Sequence, residues 1–279
     1  MHINVERLNL VKNKIREIIN KKQLKTIPQI IVVTKTFSLN HITPLLETGH
    51  NHFGENKIQE AENKWFDVKN KVKEIIDKKQ LKTIPQIIAV TKSFPLNQII
   101  PLLEMRHMHY GENKIQEAEN KWLAIKNKYK DLQLHMLGKL QSNKAKKAVM
   151  LFDYIHSLDN AKLASKICQY EKELGKKVKL FIQVNVANEK QKSGISISDL
   201  NKFYYYCTRE LSLNIIGLMC LPPNDSNSDK YFSTLRNSAE KLHLKDLSMG
   251  MSSDFEIATL SGSTFLRVGT LIMGERNPI

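Results

Sequence analysis

Cysteine is nearly missing: Cys168, Cys207 and Cys220 are the only three in 279 residues, and no two of them form a CxxC pair. An odd, scattered set excludes a disulfide framework and a zinc site of the usual spacing, so each reads as a small buried hydrophobe. Long apolar runs are lacking too, and none reaches the roughly 18 residues a membrane span needs. The opening MHINVERLNLVKNKIREIINKKQ has no apolar core and no small-residue cleavage site. It does not read as a signal peptide, and the cytoplasm is the expected location. No GxGxxG or GxxxxGK[ST] stands near the first strand of either half of a repeat described below, which removes the usual dinucleotide and P-loop signatures. Acidic residues number 28 against 43 basic ones, a net charge of +15. Such a balance raises nucleic acid or an acidic membrane as partners. The lysines, however, are spread among Asn and Ile, without an arginine-rich arm or interleaved aromatics. That favours a solvated surface, with no nucleic-acid and no membrane partner.

What is present begins with the repeat. Val11–Trp65 recurs as Val68–Trp122, 57 residues on, with 43 of 55 positions identical. KKQLKTIPQII, a Thr-Lys pair and GENKIQEAENKW all occur twice. Solenoids usually carry three or more diverged repeats, whereas two near-identical copies followed by unrelated sequence point to a tandem duplication. Setting one copy aside leaves about 220 residues, a plausible size for one compact domain.

After the repeat, β-branched runs alternate with amphipathic stretches whose apolar residues fall three or four apart. Strands are expected near Ile87–Thr91, His107–Gly111, Gln133–Leu137 and Tyr154–Ser157, then near Lys179–Val186, Asn214–Cys220, Leu247–Met251 and Phe265–Val268. Eight strands with helices between them predict an α/β single domain, a (β/α)8 TIM-type barrel with an additional duplicated N-terminal βαβα segment. A doubly wound open sheet is the alternative. The first copy carries strands of its own, Gln29–Thr34 and Asn51–Gly54, for which a closed eight-stranded barrel has no place. Copy two runs into the third strand through a single helix. Residues 68–279 are therefore expected to form the barrel, and residues 1–67 an N-terminal helix and a spare unit outside it.

IIAVTKSFP places Lys92 at the C-terminal end of the first barrel strand, the face where barrels build their sites. A lysine there is either an amine nucleophile toward an aldehyde, given a lowered pKa, or a strand-end lysine pointing to water. At the far end, DLSMGMS and GSTFLRVGT provide the seventh and eighth strands with the turns after them. Ser252, Arg267, Gly269 and Thr270 offer hydroxyls, backbone N–H groups and a positive charge where barrels often hold phosphate. Ordinary turns and capping explain the same residues, and Ser252-Ser253-Asp254 looks like a helix N-cap. Asn113, in Gly111–Asn113, is an N-cap or a ligand donor. His135 is a satisfied core histidine or a base. His107 and His109 share a strand face but lack a third ligand at recognisable spacing, so no metal is expected. A strand-one amine and a phosphate cup after strands seven and eight would be bridged by an aldehyde carrying a phosphate, and pyridoxal 5′-phosphate (PLP) is such a molecule.

AVTKSFP, YGENKIQEAENK, LHMLGKLQSNK, IQVNVANEKQKSGI, IIGLMCLP, LSMGMSSDFEIA and GSTFLRVGTLIMGER stand in the order seen in the pyridoxal phosphate homeostasis proteins. The chain resembles that family from about residue 68 to Arg276. The resemblance implies a PLP-binding barrel similar to the N-terminal domain of alanine racemase, with a Schiff base on the lysine that matches Lys92. It implies phosphate contacts around Ser252, Arg267, Gly269 and Thr270, with Asn113 and His135 at recurrent positions near the cofactor. It further implies a carrier that keeps PLP sequestered and passes it to PLP-dependent apo-enzymes without substrate turnover, as a monomer or weak homo-oligomer. Alanine racemase adds a β-rich domain, and with nine residues after Thr270 no counterpart of it is expected here. A PLP-dependent, racemase-like enzyme acting through Lys92 and His135 is the alternative. Lys35, in IIVVTKTFS, duplicates the lysine motif and is the alternative Schiff-base lysine.

Overall fold

The computed structural model describes residues 3–23, 32–33, 44–45, 47–48, 53–54, 56–189, 191–223, 225 and 227–274. The chain divides into two compact units, residues 1–60 and 61–279. In the first, a helix spans Ile3–Lys22, and Val5, Leu8 and Leu45 are buried together. Strands β1 (Val32–Val33) and β2 (Phe53–Gly54) pair in parallel, Val32 opposite Phe53 and Val33 opposite Gly54. The rest of the expected strands Gln29–Thr34 and Asn51–Gly54 lies outside the described residues, as does Lys35.

The second unit is a closed barrel of eight parallel strands: β3 (Gln86–Val90), β4 (His109–Glu112), β5 (Gln133–Met136), β6 (Tyr154–Leu158), β7 (Lys179–Val184), β8 (Ile215–Cys220), β9 (Asp246–Met251) and β10 (Phe265–Val268). Each strand pairs with the next in the chain, and β10 closes the ring on β3, with Phe265 opposite Gln86 and Val268 opposite Ala89. The expected barrel is the observed one, and the open doubly wound sheet is not. Its strands β3 and β4 come from the second copy of the repeat, in the register that β1 and β2 adopt between the corresponding residues of the first. A helix, Asn56–Lys79, precedes β3, and its Trp65, Val68 and Val72 belong to the barrel unit's core.

The wall is buried on both sides because a parallel sheet faces helices outside and packed side chains inside. Outside, Ala89, Leu134, Ile155, Leu180, Leu218 and Leu266 meet the helices in one large core. Inside, Ile88, Val90, Leu137, Tyr154, Phe181, Met219 and Phe265 form a second apolar cluster. This explains why the strands appear in the sequence as continuous apolar runs rather than alternating ones. Between strands, helices such as Ala161–Leu174 carry ordinary terminal signals: Asn160 Oδ1 accepts the Leu163 N–H at 2.9 Å, and Gly175 ends the helix at a φ of 61°. Among the described residues, no helix is long and apolar enough to cross a membrane.

Candidate functional site

At the C-terminal end of the strands lies a cavity of about 630 Å³. Lys92, Asn113, Ser252, Arg267, Gly269 and Thr270 all line it. Six of the seven sequence-derived site residues thus meet in one space, although they come from four different βα junctions. Val90, Leu137, Leu221 and Met251 supply its apolar walls.

Lys92 follows β3 in a tight turn whose next residue, Ser93, has a φ of 66°. The turn is clamped on both sides of the lysine. Thr91 Oγ1 donates to Glu112 Oε1 at 2.8 Å, and the Thr91 carbonyl accepts from Lys121 Nζ at 2.8 Å. The Ser93 N–H donates to Glu117 Oε1. Glu112 is fully buried and also takes Lys121 at 2.8 Å and the Trp122 indole N–H at 3.0 Å. Burial alone would push the Glu117 carboxyl up, but the Ser93 N–H and the Lys121 ammonium together hold it below its ordinary value. The repeated GENKIQEAENKW motif is therefore the scaffold of the Lys92 turn. Sequence reasoning missed this role; Glu117 and Lys121, four apart on one helix, were the signal available.

Asn113 is not a cap. The helix begins at Ile115 with Lys114 in the cap position, which leaves Asn113 in the cavity wall. Its backbone lies so close to Gly138 that a Cβ there would collide with it. Ser252 is not a cap either. Asp254 precedes the helix Phe255–Leu260 and turns its carboxylate back to the Met251 N–H at 2.6 Å. Ser252 Oγ instead accepts the N–H of Gly269 at 3.1 Å and of Leu271 at 3.5 Å. It ties the loop after β9 to the loop after β10.

Arg267 points into the barrel from β10 and is 4% exposed. Nη1 donates to Ser248 Oγ at 2.8 Å and Nη2 to the Cys220 carbonyl at 2.9 Å. Burial lowers its pKa, and no carboxylate lies within ion-pair distance among the described residues. His135 is not among the cavity's lining residues. It lies on the inner face of the barrel, fully buried, with Nε2 3.0 Å from His109 Nδ1 and Nδ1 3.0 Å from His156 Nε2. Burial first, and the neighbouring histidines second, hold it neutral. His107 bonds its Nε2 to the His109 carbonyl at 2.7 Å, and no metal-binding group of side chains occurs among the described residues. The cysteines are free and buried, as expected, and burial pushes the Cys207 and Cys220 thiols up to about 12.

The family model described as "Alanine racemase, N-terminal domain" matches residues 7–277, which take in the whole closed parallel barrel. Alanine racemase from Clostridium difficile 630 superposes with a TM-score of 0.59 at 14% identity, over 78% of this chain and 58% of that one, a likeness of fold alone. A pyridoxal phosphate homeostasis protein from Aquifex aeolicus is 34% identical over 200 residues, which is 68% of this chain and 87% of the relative. PipY from Synechococcus elongatus PCC7942, solved with PLP bound, is 36% identical with a TM-score of 0.64, over 73% of this chain and all of that one. The chain belongs to the pyridoxal phosphate homeostasis protein family.

Proposed function

We propose that this chain binds PLP as a Schiff base on Lys92 and takes part in vitamin B6 homeostasis inside the cell, passing the cofactor to PLP-dependent apo-enzymes without turning over a substrate. The observation that carries this reading is that one cavity is lined both by the Lys92 amine and by the hydroxyl-bearing Ser252 and Thr270. Its volume lies within the range of small-molecule sites. Apolar walls from Val90, Leu137 and Leu221 suit an aromatic ring, and Ser252, Gly269 and Thr270 suit a phosphate. Arg267 adds a fixed positive charge from the inner wall. When bound, PLP supplies an electrophilic aldehyde carbon and an electron-accepting ring. The protein's part is to place the Lys92 amine through the Thr91 and Ser93 clamps, to hold the anion, and to exclude water along the apolar wall.

The absence of turnover is supported by what the wall contains. Among its described residues there is no histidine, tyrosine or carboxylate, so Lys92 is the one side chain there suited to proton abstraction. A racemase acting through His135 would need that imidazole in the cavity, and both its nitrogens are engaged elsewhere. Enantiopure amino acids incubated with the PLP-loaded protein are expected to keep their configuration.

We read the repeat as a tandem duplication in which the second copy forms the barrel, which makes Lys92 rather than Lys35 the anchor. Borohydride reduction followed by peptide mass mapping tests both statements. A pyridoxyl adduct on Lys92, lost in Lys92→Ala, is expected. An adduct confined to Lys35 would overturn the choice of copy, and no adduct at all would overturn PLP attachment.

A further inference from the structure

Below the cavity the barrel interior holds polar groups where a TIM-type barrel normally packs branched apolar ones. His135, His156 and Ser248 are each fully buried there. They form one unbroken chain: His109 Nδ1 to His135 Nε2 at 3.0 Å, His135 Nδ1 to His156 Nε2 at 3.0 Å, and His156 Nδ1 to Ser248 Oγ at 2.8 Å. Arg267 Nη1 then reaches Ser248 Oγ at 2.8 Å. The chain is jacketed by aromatic rings. Tyr154 stacks on His135 at 4.2 Å between centroids, Phe181 stacks on His156 at 4.3 Å, and Phe265 lies edge-on to Phe181.

Chemistry gives this chain one direction. A guanidinium donates and never accepts, so Ser248 Oγ must be the acceptor of Arg267. The oxygen could accept a second time, but the buried hydroxyl hydrogen has no described acceptor other than His156 Nδ1, so the arrangement that leaves no polar hydrogen unpaired gives it to His156. His156 then carries its proton on Nε2 and gives it to His135 Nδ1. His135 in turn carries its proton on Nε2 and gives it to His109 Nδ1. Burial holds all three rings neutral, so each carries a single N–H. Because arginine does not give up its proton at physiological pH, the chain ends in a group that cannot pass protons to the cavity. It orients and does not conduct.

We propose that His109, His135, His156 and Ser248 act as positioning residues for Arg267, a polarised chain that locks the guanidinium in one orientation so that its remaining N–H groups meet the cavity's ligand from a fixed direction. The ligand, PLP, rests on the function proposed above; the proton positions do not. Each link satisfies a buried polar atom with a single partner, and a partly satisfied chain in so dry a place would be costly.

Two measurements test this. Nitrogen-15 NMR of the imidazoles in ligand-free protein is expected to show His109, His135 and His156 neutral at pH 7, each protonated on Nε2. An Nδ1-protonated or charged ring at His135 or His156 would overturn the assignment. In PLP titrations, Ser248→Ala removes the acceptor that holds Nη1 and is expected to raise the dissociation constant about tenfold, with a displaced absorption maximum of the bound chromophore. Ser248→Thr is expected to restore both. Reduction should still label Lys92 in every variant. Unchanged affinity and spectrum in Ser248→Ala would refute the positioning role even with the tautomers as assigned. A wild-type protein that takes no label would refute the PLP reading instead, and the NMR result would still decide the proton positions.

Discussion

Ser252 Oγ accepts the Gly269 N–H at 3.1 Å, and this bond joins two loops that leave neighbouring strands of the barrel. The same hydroxyl takes the Leu271 N–H and lines the cavity. Ser252→Ala therefore removes both a loop tie and a cavity hydroxyl. A lost hydrogen bond to an anion is worth about 1.5–3 kcal/mol, so the PLP dissociation constant is expected to rise at least tenfold, while the melting temperature moves by only a few degrees. Titration followed by absorbance checks the first and calorimetry the second. An unaltered affinity would remove Ser252 from the phosphate cup.

Gly138 faces the Asn113 backbone across the gap between the βα junctions of β4 and β5. A methyl group there has no room, so Gly138→Ala must push the Asn113 segment out of place. Overpacking of this kind costs about 1–3 kcal/mol. Because Asn113 lines the cavity, PLP affinity is expected to fall together with stability, and a thermal melt beside a PLP titration reads both. Lost stability with wild-type affinity would show that Asn113 does not contribute to the ligand site.

The strands were legible because a barrel wall buried on both faces writes itself as short, mostly apolar runs rich in Ile and Val; IIAV and FIQV fall on Gln86–Val90 and Lys179–Val184. The grouping of Lys92 with Ser252, Gly269 and Thr270 was legible because strand order places the first and eighth strands side by side. Capping was one of two readings open at Asn113 and Ser252, and neither residue caps the helix that follows it. A side chain near a helix start satisfies whichever donor it reaches, and for Ser252 the nearer donors belong to another loop. The histidine chain was hidden for a different reason. His109, His135, His156 and Ser248 lie on four strands, and only the barrel's stagger brings them to one level.

Glu112 shows how much of the Lys92 turn rests on one side chain. Its Oε1 takes Thr91 Oγ1, Lys121 and the Trp122 N–H, and the residue is fully buried. Glu112→Ala leaves the Lys121 ammonium, whose side chain is 10% exposed, without its shortest ion-pair partner. Breaking one side of a buried pair costs about 3–5 kcal/mol. Urea denaturation is expected to show a loss of that size, and borohydride labelling of Lys92 is expected to slow because Thr91 is no longer fixed. A loss below about 1 kcal/mol would mean that the pair behaves like an exposed one.

Histidine burial sets the acid limit of the fold. Burial lowers the His107 pKa to about 3, outweighing the opposing effect of its bond to the His109 carbonyl. In the unfolded chain a histidine titrates near 6.5. Between those two values the unfolded chain binds a proton that folded His107 refuses, so stability falls as pH drops through this window and is level above it. His109, His135 and His156 are lowered in the same direction, chiefly by burial. His107 alone contributes about 1 kcal/mol of loss between pH 7 and 5.5, a range in which ordinary carboxylates stay ionised, and the other three histidines act in the same direction. The unfolding free energy from urea titration is therefore expected to be lower at pH 5.5 than at pH 7, and His107→Gln is expected to narrow that gap by about 1 kcal/mol. Equal free energies at the two pH values would mean that these rings take up protons as readily when folded as when unfolded.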